Sequence, residues 1–156
     1  MRTVRGVLAA SGVMLVSAFG MPGAMQAQLG VGTWERQSDK GSKGVGSMTM
    51  TVEPCCKGGY KLTYHIAFNG VTSVMKVESP FDGTAVPVLV DGKPSGETMS
   101  ITRVDDRHST TVMTMNGKPF GTSKSTLSAD GKTLTVIDDI AQSGGVQPKT
   151  EIWVKK

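Results

Sequence analysis

Alternation of apolar and polar residues, in short runs separated about every 8 to 12 residues by Gly, Asp, Asn or Pro, constrains the fold of this chain more than any other feature. Residues 47–53 place Met48, Met50 and Val52 at every second position, with polar residues between them. The next run puts a second apolar set on one face: Tyr60, Leu62, Tyr64, Ile66 and Phe68. A period of two is that of a β-strand with one buried face, so these runs predict strands rather than helices.

Further strands are predicted at residues 71–78, 85–90, 98–104, 109–115, 118–128, 133–139 and 149–155, with another around Trp34, about ten in all. The turns between strands contain residues that tolerate left-handed φ: Asn69-Gly70, Asp91-Gly92, Asp105-Asp106, Asn116-Gly117 and Asp130-Gly131. Sequential strands should therefore pair antiparallel. We predict an all-β, antiparallel up-and-down barrel of about eight to ten strands. A two-sheet sandwich is the alternative, because it too limits exposed sheet edges.

The first 27 residues have the order of a secretory signal peptide. Arg2 and Arg5 precede an uncharged, mostly apolar run at residues 7–19, and helix breakers and small residues then lead to Ala27. The apolar run is shorter than the ~20 residues that a spanning helix needs, so it does not predict a membrane anchor. We expect residues 28–156 to form a single exported domain, periplasmic or secreted, without stable membrane insertion after cleavage.

The charge of the mature chain argues against nucleic acid as a partner. The whole chain has 17 Lys and Arg against 13 Asp and Glu, and removal of Arg2 and Arg5 lowers its net charge from +4 to +2. These charges are spread over many predicted hairpins, whereas a nucleic-acid surface needs clustered Lys and Arg with stacking aromatic rings. The sequence leaves the oligomeric state open.

Three short motifs resemble those of small bacterial exported lipocalin-like proteins, members of the calycin barrels. They are Gly32-Thr33-Trp34, Phe81-Asp82-Gly83 and the SADGKTL segment at residues 128–134. The resemblance implies a barrel in which Trp34 has a structural role, packing at the base under a basic side chain near the chain end. Here the last strand offers Lys155 and Lys156 and no arginine, so the resemblance implies a weaker or absent contact. The long-range disulfide usual in that family also has no counterpart.

Cys55 and Cys56 are adjacent in a Pro-Cys-Cys-Lys-Gly-Gly segment between two predicted strands. Neighbours in sequence close no long loop, so they cannot act as an ordinary stabilising disulfide. Three interpretations remain open: a vicinal disulfide, exposed or intermolecularly linked thiols, and a redox or metal role. A metal site would need two further ligands. We expect His65 on an outer strand face and His108 in a turn, and we predict no metal site.

Methionine recurs in the predicted strands, at Met48, Met50, Met75, Met99, Met113 and Met115. Its soft, flexible side chain suits the wall of a cavity. Thioethers also bind Cu(I), but a copper site needs several sulfurs that converge, and methionines two residues apart arise on any inward strand face. The sequence therefore predicts no copper and no other cofactor.

The candidate ligand-binding residues are aromatic and methionine side chains expected to face inward: Tyr64, Tyr60, Phe68, Met48, Met50 and Met75. Tyr64 is the leading candidate, because a tyrosine hydroxyl can fix the polar end of an otherwise apolar ligand. A barrel of this strand number can hold one small molecule. The predicted function is binding of a small apolar ligand in the barrel interior. The alternative is a ligandless envelope or secreted module that acts through its surface.

The sequence contains no recognisable catalytic motif. Gly-x-Ser-x-Gly, metal-binding His motifs and phosphate-binding Gly-rich loops are all missing. His108 and Ser109 follow Asp105 and Asp106, but polar residues crowd turns, and a catalytic triad needs three groups oriented across a fold. We expect no enzymatic activity.

We predict that the exported protein begins within a few residues of Gln28, because cleavage after Ala27, or after Ala24, fits the small residues that follow the apolar run. Amino-terminal sequencing of the protein purified from the exported fraction measures this directly. A mature chain that still carries Met1 in a membrane fraction would contradict the prediction.

Overall fold

The computed structural model describes residues 30–37, 46–141 and 148–156, and the predicted signal peptide lies outside them. The described residues form ten strands: β1 (Gly32–Arg36), β2 (Met48–Cys55), β3 (Gly59–Phe68), β4 (Val71–Ser79), β5 (Asp82–Val90), β6 (Lys93–Arg103), β7 (His108–Met115), β8 (Lys118–Leu127), β9 (Thr133–Ile140) and β10 (Lys149–Lys155). A 3₁₀ turn, Cys56–Gly58, joins β2 to β3. None of the described residues forms a helix that is long and apolar enough to cross a membrane.

The ten strands form one closed antiparallel barrel. Each strand pairs with the next along the chain, and β1 pairs with β10 to close the sheet. The predicted all-β up-and-down barrel is confirmed, and the alternative of a two-sheet sandwich is wrong. Closure is favourable because it leaves no strand with unpaired backbone groups along a free edge.

Two strands begin at least three residues earlier than the alternation predicts. Strand β6 starts at Lys93 rather than at residue 98, and β5 starts at Asp82 rather than at residue 85. The first four residues of β6 are all exposed and include Pro94, so no apolar period marks them in the sequence. These residues form a strand because the turn at Asp91-Gly92 fixes the pairing of Val90 with Lys93.

The hairpin turns owe their shape to residues with positive φ. Asn69, Asp91 and Asn116 have φ of 48°, 49° and 50°, and the glycine after each also has positive φ. Two successive residues with positive φ define the type I′ turn, whose twist matches that of the adjoining strands. The Asn-Gly and Asp-Gly pairs therefore specify these three hairpins as predicted.

Trp34 fills the base of the barrel, the end where odd-numbered strands begin and even-numbered strands end. Its side chain is fully buried, and its indole Nε1–H donates a hydrogen bond to the Gly30 carbonyl oxygen. Lys155 Nζ lies 5.7 Å from the centroid of the indole ring. A Cβ at Gly32 would lie 2.7 Å from Lys155 Cε, so glycine at this position leaves room for the lysine. The cation-over-ring contact is therefore present, with lysine in place of arginine.

A second cluster at the base joins Tyr60, Phe81 and Arg103. The two aromatic rings meet edge to face with centroids 5.2 Å apart, and Arg103 Nη2 donates to Tyr60 Oη at 3.0 Å. The backbone approaches closely beside this cluster, since a Cβ at Gly59 would lie only 2.0 Å from the Ser79 carbonyl oxygen. Glycine at this position is required by backbone packing rather than by a turn.

Replacement of Gly59 by alanine should destabilise the barrel by about 3 kcal/mol, because β3 and the chain after β4 must move apart to admit the methyl group. Gly58→Ala is the matched control. Gly58 has φ of 78° and open space around it, so alanine there should cost only the left-handed strain of about 1–2 kcal/mol. Urea unfolding followed by tryptophan fluorescence measures both losses. Equal losses for the two variants would contradict the packing argument.

Candidate ligand-binding cavity

The barrel encloses a cavity of about 240 Å³. Residues from eight strands line it, all except β1 and β5, together with Gly30 and Phe81. Alternation explains this wall, because every second residue of a strand points to the barrel interior. On β2, for example, Met48, Met50 and Val52 all lie on the cavity wall.

Methionines make up much of the apolar wall: Met48, Met50, Met75, Met99 and Met113. The first three are among the predicted ligand-binding residues. Met99 and Met113 are additional, and they lie directly opposite each other on β6 and β7. Their inward direction could have been read from the same period of two. Unbranched thioether side chains let such a wall adapt to the shape of a ligand.

Tyr64 lines the cavity, next to Trp153. The two rings are 6.0 Å apart in an edge-to-face arrangement. Burial raises the pKa of the Tyr64 hydroxyl, and the negative charges of Asp138 and Glu151 raise it further. The hydroxyl therefore stays protonated at neutral pH and can donate a hydrogen bond into the cavity.

Two other predicted ligand-binding residues lie off the cavity wall. Tyr60 is buried in the basal cluster, where its hydroxyl accepts the hydrogen bond from Arg103. Phe68 is 51% exposed at the end of β3. Strand parity places Phe68 on the same face as Tyr64, but its partner Val71 is 69% exposed and there is no opposing wall to bury the ring. Phe68 therefore does not line the cavity.

Two carboxylates on the cavity wall, Asp138 on β9 and Glu151 on β10, are absent from the sequence-based candidates. Glu151 Oε1 accepts hydrogen bonds from Arg36 Nη1 at 2.9 Å and from Lys149 Nζ at 3.0 Å. Burial raises the pKa of Asp138, and so does the charge of Glu151, while Lys149 lowers it. The period of two along a strand predicts both positions, since Asp138 is two residues from Val136 and Glu151 is two residues from Trp153.

Cys55 and Cys56 are joined by a disulfide at the β2–β3 connection, and neither lines the cavity. The structure thus has the first of the three interpretations, the vicinal disulfide. His65 is exposed on β3, as expected for an outer strand face. Across the described ranges, no three His, Cys, Asp or Glu side chains lie close enough together to hold a metal ion.

Asp105 lies in the connection between β6 and β7, and His108 is the first residue of β7 rather than the turn residue that the sequence predicted. The Asp105 carboxylate accepts hydrogen bonds from the backbone N–H groups of Arg107 and His108, and it lies 2.7 Å from His108 Nδ1. The hydrogen bond from Arg107, followed by that from the His108 ring, lowers the pKa of Asp105. Ser109 is buried and points into the cavity, whereas His108 is at the surface, so the two side chains do not converge.

The site as a whole is an apolar chamber with one polar sector. Methionine, aliphatic and aromatic side chains form most of the wall, and the polar groups are concentrated on β7 to β10: Ser109, Thr111, Ser123, Ser125, Asp138 and Glu151. No known protein-family model matches the chain, and no curated protein shows significant similarity to it. An apolar chamber with a few convergent polar groups is the usual form of a small-molecule site.

Asp138→Asn should raise the stability of the ligand-free protein at pH 7 and leave it nearly unchanged at pH 3. The unfolded aspartate ionises near its ordinary pKa of 3.8, whereas the folded one keeps its proton to higher pH. Between the pKa of Asp138 in the unfolded state and that in the folded state, the native protein binds more protons than the unfolded one. The free energy of unfolding of the wild type therefore falls as pH rises, and this loss persists above the folded pKa. Asparagine does not ionise and avoids this cost.

Asp139→Asn is the control. It removes the same charge from the same strand, but Asp139 is exposed. Urea unfolding of the three proteins at pH 3 and pH 7 measures the effect. A stability difference between Asp138→Asn and wild type that is the same at both pH values would contradict the ionisation argument.

Proposed function

We propose that the mature chain is an exported, lipocalin-like carrier that binds one small, mostly apolar molecule inside its barrel. The observation that carries this proposal is the 240 Å³ cavity with its methionine-rich wall. The closed barrel and the contact of Lys155 with the Trp34 ring support the lipocalin-like assignment. The signal-like order of the first 27 residues supports export to the periplasm or the medium.

The size of the cavity favours a binding site over a packing defect. Protein interiors are close-packed, and voids larger than a water molecule are few. An apolar cavity of about 150 Å³ in another protein stays dry and accepts benzene. By that comparison a cavity of 240 Å³ suits a ligand of roughly ten non-hydrogen atoms. A long-chain fatty acid is larger than this.

The wall also provides both kinds of surface that a binding site needs, an apolar one to enclose the ligand and a polar one to orient it. The methionines can enclose an apolar body, and Trp153 and Phe81 add flat apolar surface. The Tyr64 hydroxyl and the polar groups of β7 to β10 can fix the orientation of a polar end. Both functions fall on one continuous surface inside the barrel.

The proposal predicts that the purified mature protein binds 1-naphthalenemethanol with a dissociation constant of about 10 µM or lower, as measured by isothermal titration calorimetry. Ser125→Phe, which places a ring in the cavity, should weaken binding at least tenfold. Thr126→Phe is the matched control, because Thr126 is the next residue on β8 and is exposed. It should bind like wild type.

Two results would contradict the carrier proposal. One is the failure of the wild-type protein to bind any of three naphthalene compounds, one neutral, one cationic and one anionic, at a ligand concentration of about 100 µM. The other is equal loss of affinity in Ser125→Phe and Thr126→Phe, which would place the ligand outside the barrel. Either result would favour the alternative of a ligandless module that acts through its outer surface.

A further inference from the structure

The lining of the cavity is acidic as well as apolar. Asp138 and Glu151 line the cavity, whereas none of the described lysine, arginine or histidine residues lines it. The two carboxylates are diagonal neighbours on adjacent strands, since Lys149 is opposite Asp138 and Val136 is opposite Glu151. A ligand inside the barrel therefore meets negative charge at one end of the cavity.

The two carboxylates differ in how far their charges are neutralised. Arg36 and Lys149 both donate to the same oxygen of Glu151, so both nearby basic groups are already engaged. In the part of the chain that the structure describes, the Asp138 side chain makes no ion pair and no hydrogen bond of its own. Partial burial penalises the charged form of Asp138, and a cation from outside the protein would offset that penalty.

Hydroxyl groups complete a polar row across three strands. Thr111 on β7 is directly opposite Ser123 on β8, and Ser123 is directly opposite Asp138 on β9. All three line the cavity, and directly opposite residues have Cβ atoms about 4.5–5.5 Å apart. A primary ammonium has three N–H donors, which matches one carboxylate and two hydroxyls as acceptors. Tyr64 and Trp153 add aromatic rings at the same cavity, and such rings favour a nearby cation.

From this juxtaposition we infer that the ligand is a small apolar molecule that bears one primary amine, whose ammonium binds Asp138, Ser123 and Thr111. The inference rests on the proposed carrier function and specifies its ligand class. An anionic head group fits poorly, because it would face Asp138 and would have to displace Glu151 from Arg36. A neutral ligand fits the apolar wall but leaves Asp138 without a partner.

Three compounds with the same ring system test the inference: 1-naphthylmethylamine, 1-naphthalenemethanol and 1-naphthoic acid. At pH 7 the first is cationic, the second neutral and the third anionic. Calorimetric titration of the wild-type protein should give at least tenfold tighter binding for the amine than for the alcohol, and the weakest binding for the acid. This comparison needs no variant, so it does not depend on how any substitution folds.

Asp138→Asn should bring the affinity for the amine to within about threefold of that for the alcohol, because it removes the charge that distinguishes the two ligands. Asp139→Asn removes the same charge from the exposed face of the same strand and should keep the wild-type preference. Circular dichroism and thermal unfolding check that both variants are folded.

Wild-type protein that binds the alcohol as tightly as the amine, or equal effects of Asp138→Asn and Asp139→Asn, would overturn the amine inference and leave the carrier function standing. Wild-type protein that binds none of the three compounds would overturn the carrier function itself. The two failures are therefore distinguishable.

Discussion

The pairing of β1 with β10 is the interaction on which the rest of this molecule depends. It involves only three residue pairs, Trp34 with Lys155, Glu35 with Val154 and Arg36 with Trp153. Side chains reinforce it at both ends, since Lys155 lies over the Trp34 ring and Arg36 is paired with Glu151 at 2.9 Å. Without this seam β1 and β10 would be free edges, and the cavity would have no wall at Trp153 and Glu151.

The parts of the fold that follow from local chemistry were predictable from the sequence. The period of two and the Asn-Gly and Asp-Gly turns specify antiparallel hairpins, because each turn sets the register of its own two strands. The early start of β6 was missed because its first residues are exposed on both faces and carry no apolar signal. Closure of the sheet could be inferred only as one of two ways to remove edges, since no local pattern encodes the contact of β1 with β10.

The candidate site was predictable only in its apolar half. Met48, Met50, Met75 and Tyr64 lie on the cavity because parity places them there. Phe68 is predicted on the same strand face, but it is the last residue of β3 and is exposed. The period of two does not predict where along a strand the cavity ends. Asp138 and Glu151 were passed over because acidic residues in strands are ordinarily assigned to the wet face. Partial burial of Asp138 disfavours its charged form and so lowers the stability of the protein at neutral pH.

The seam has a further consequence for how the protein folds. Nine of the ten strand pairings join consecutive strands, so only the pairing of β1 with β10 brings distant parts of the chain together. This pairing therefore has the largest single loop-entropy cost, because it closes the longest loop. Trp153 and Glu151 of β10 line the cavity, so the cavity is enclosed only when β10 pairs with β1. A molecule that bound only the closed barrel would stabilise it by mass action, and the concentration of that molecule would then set the fraction of the protein that is closed.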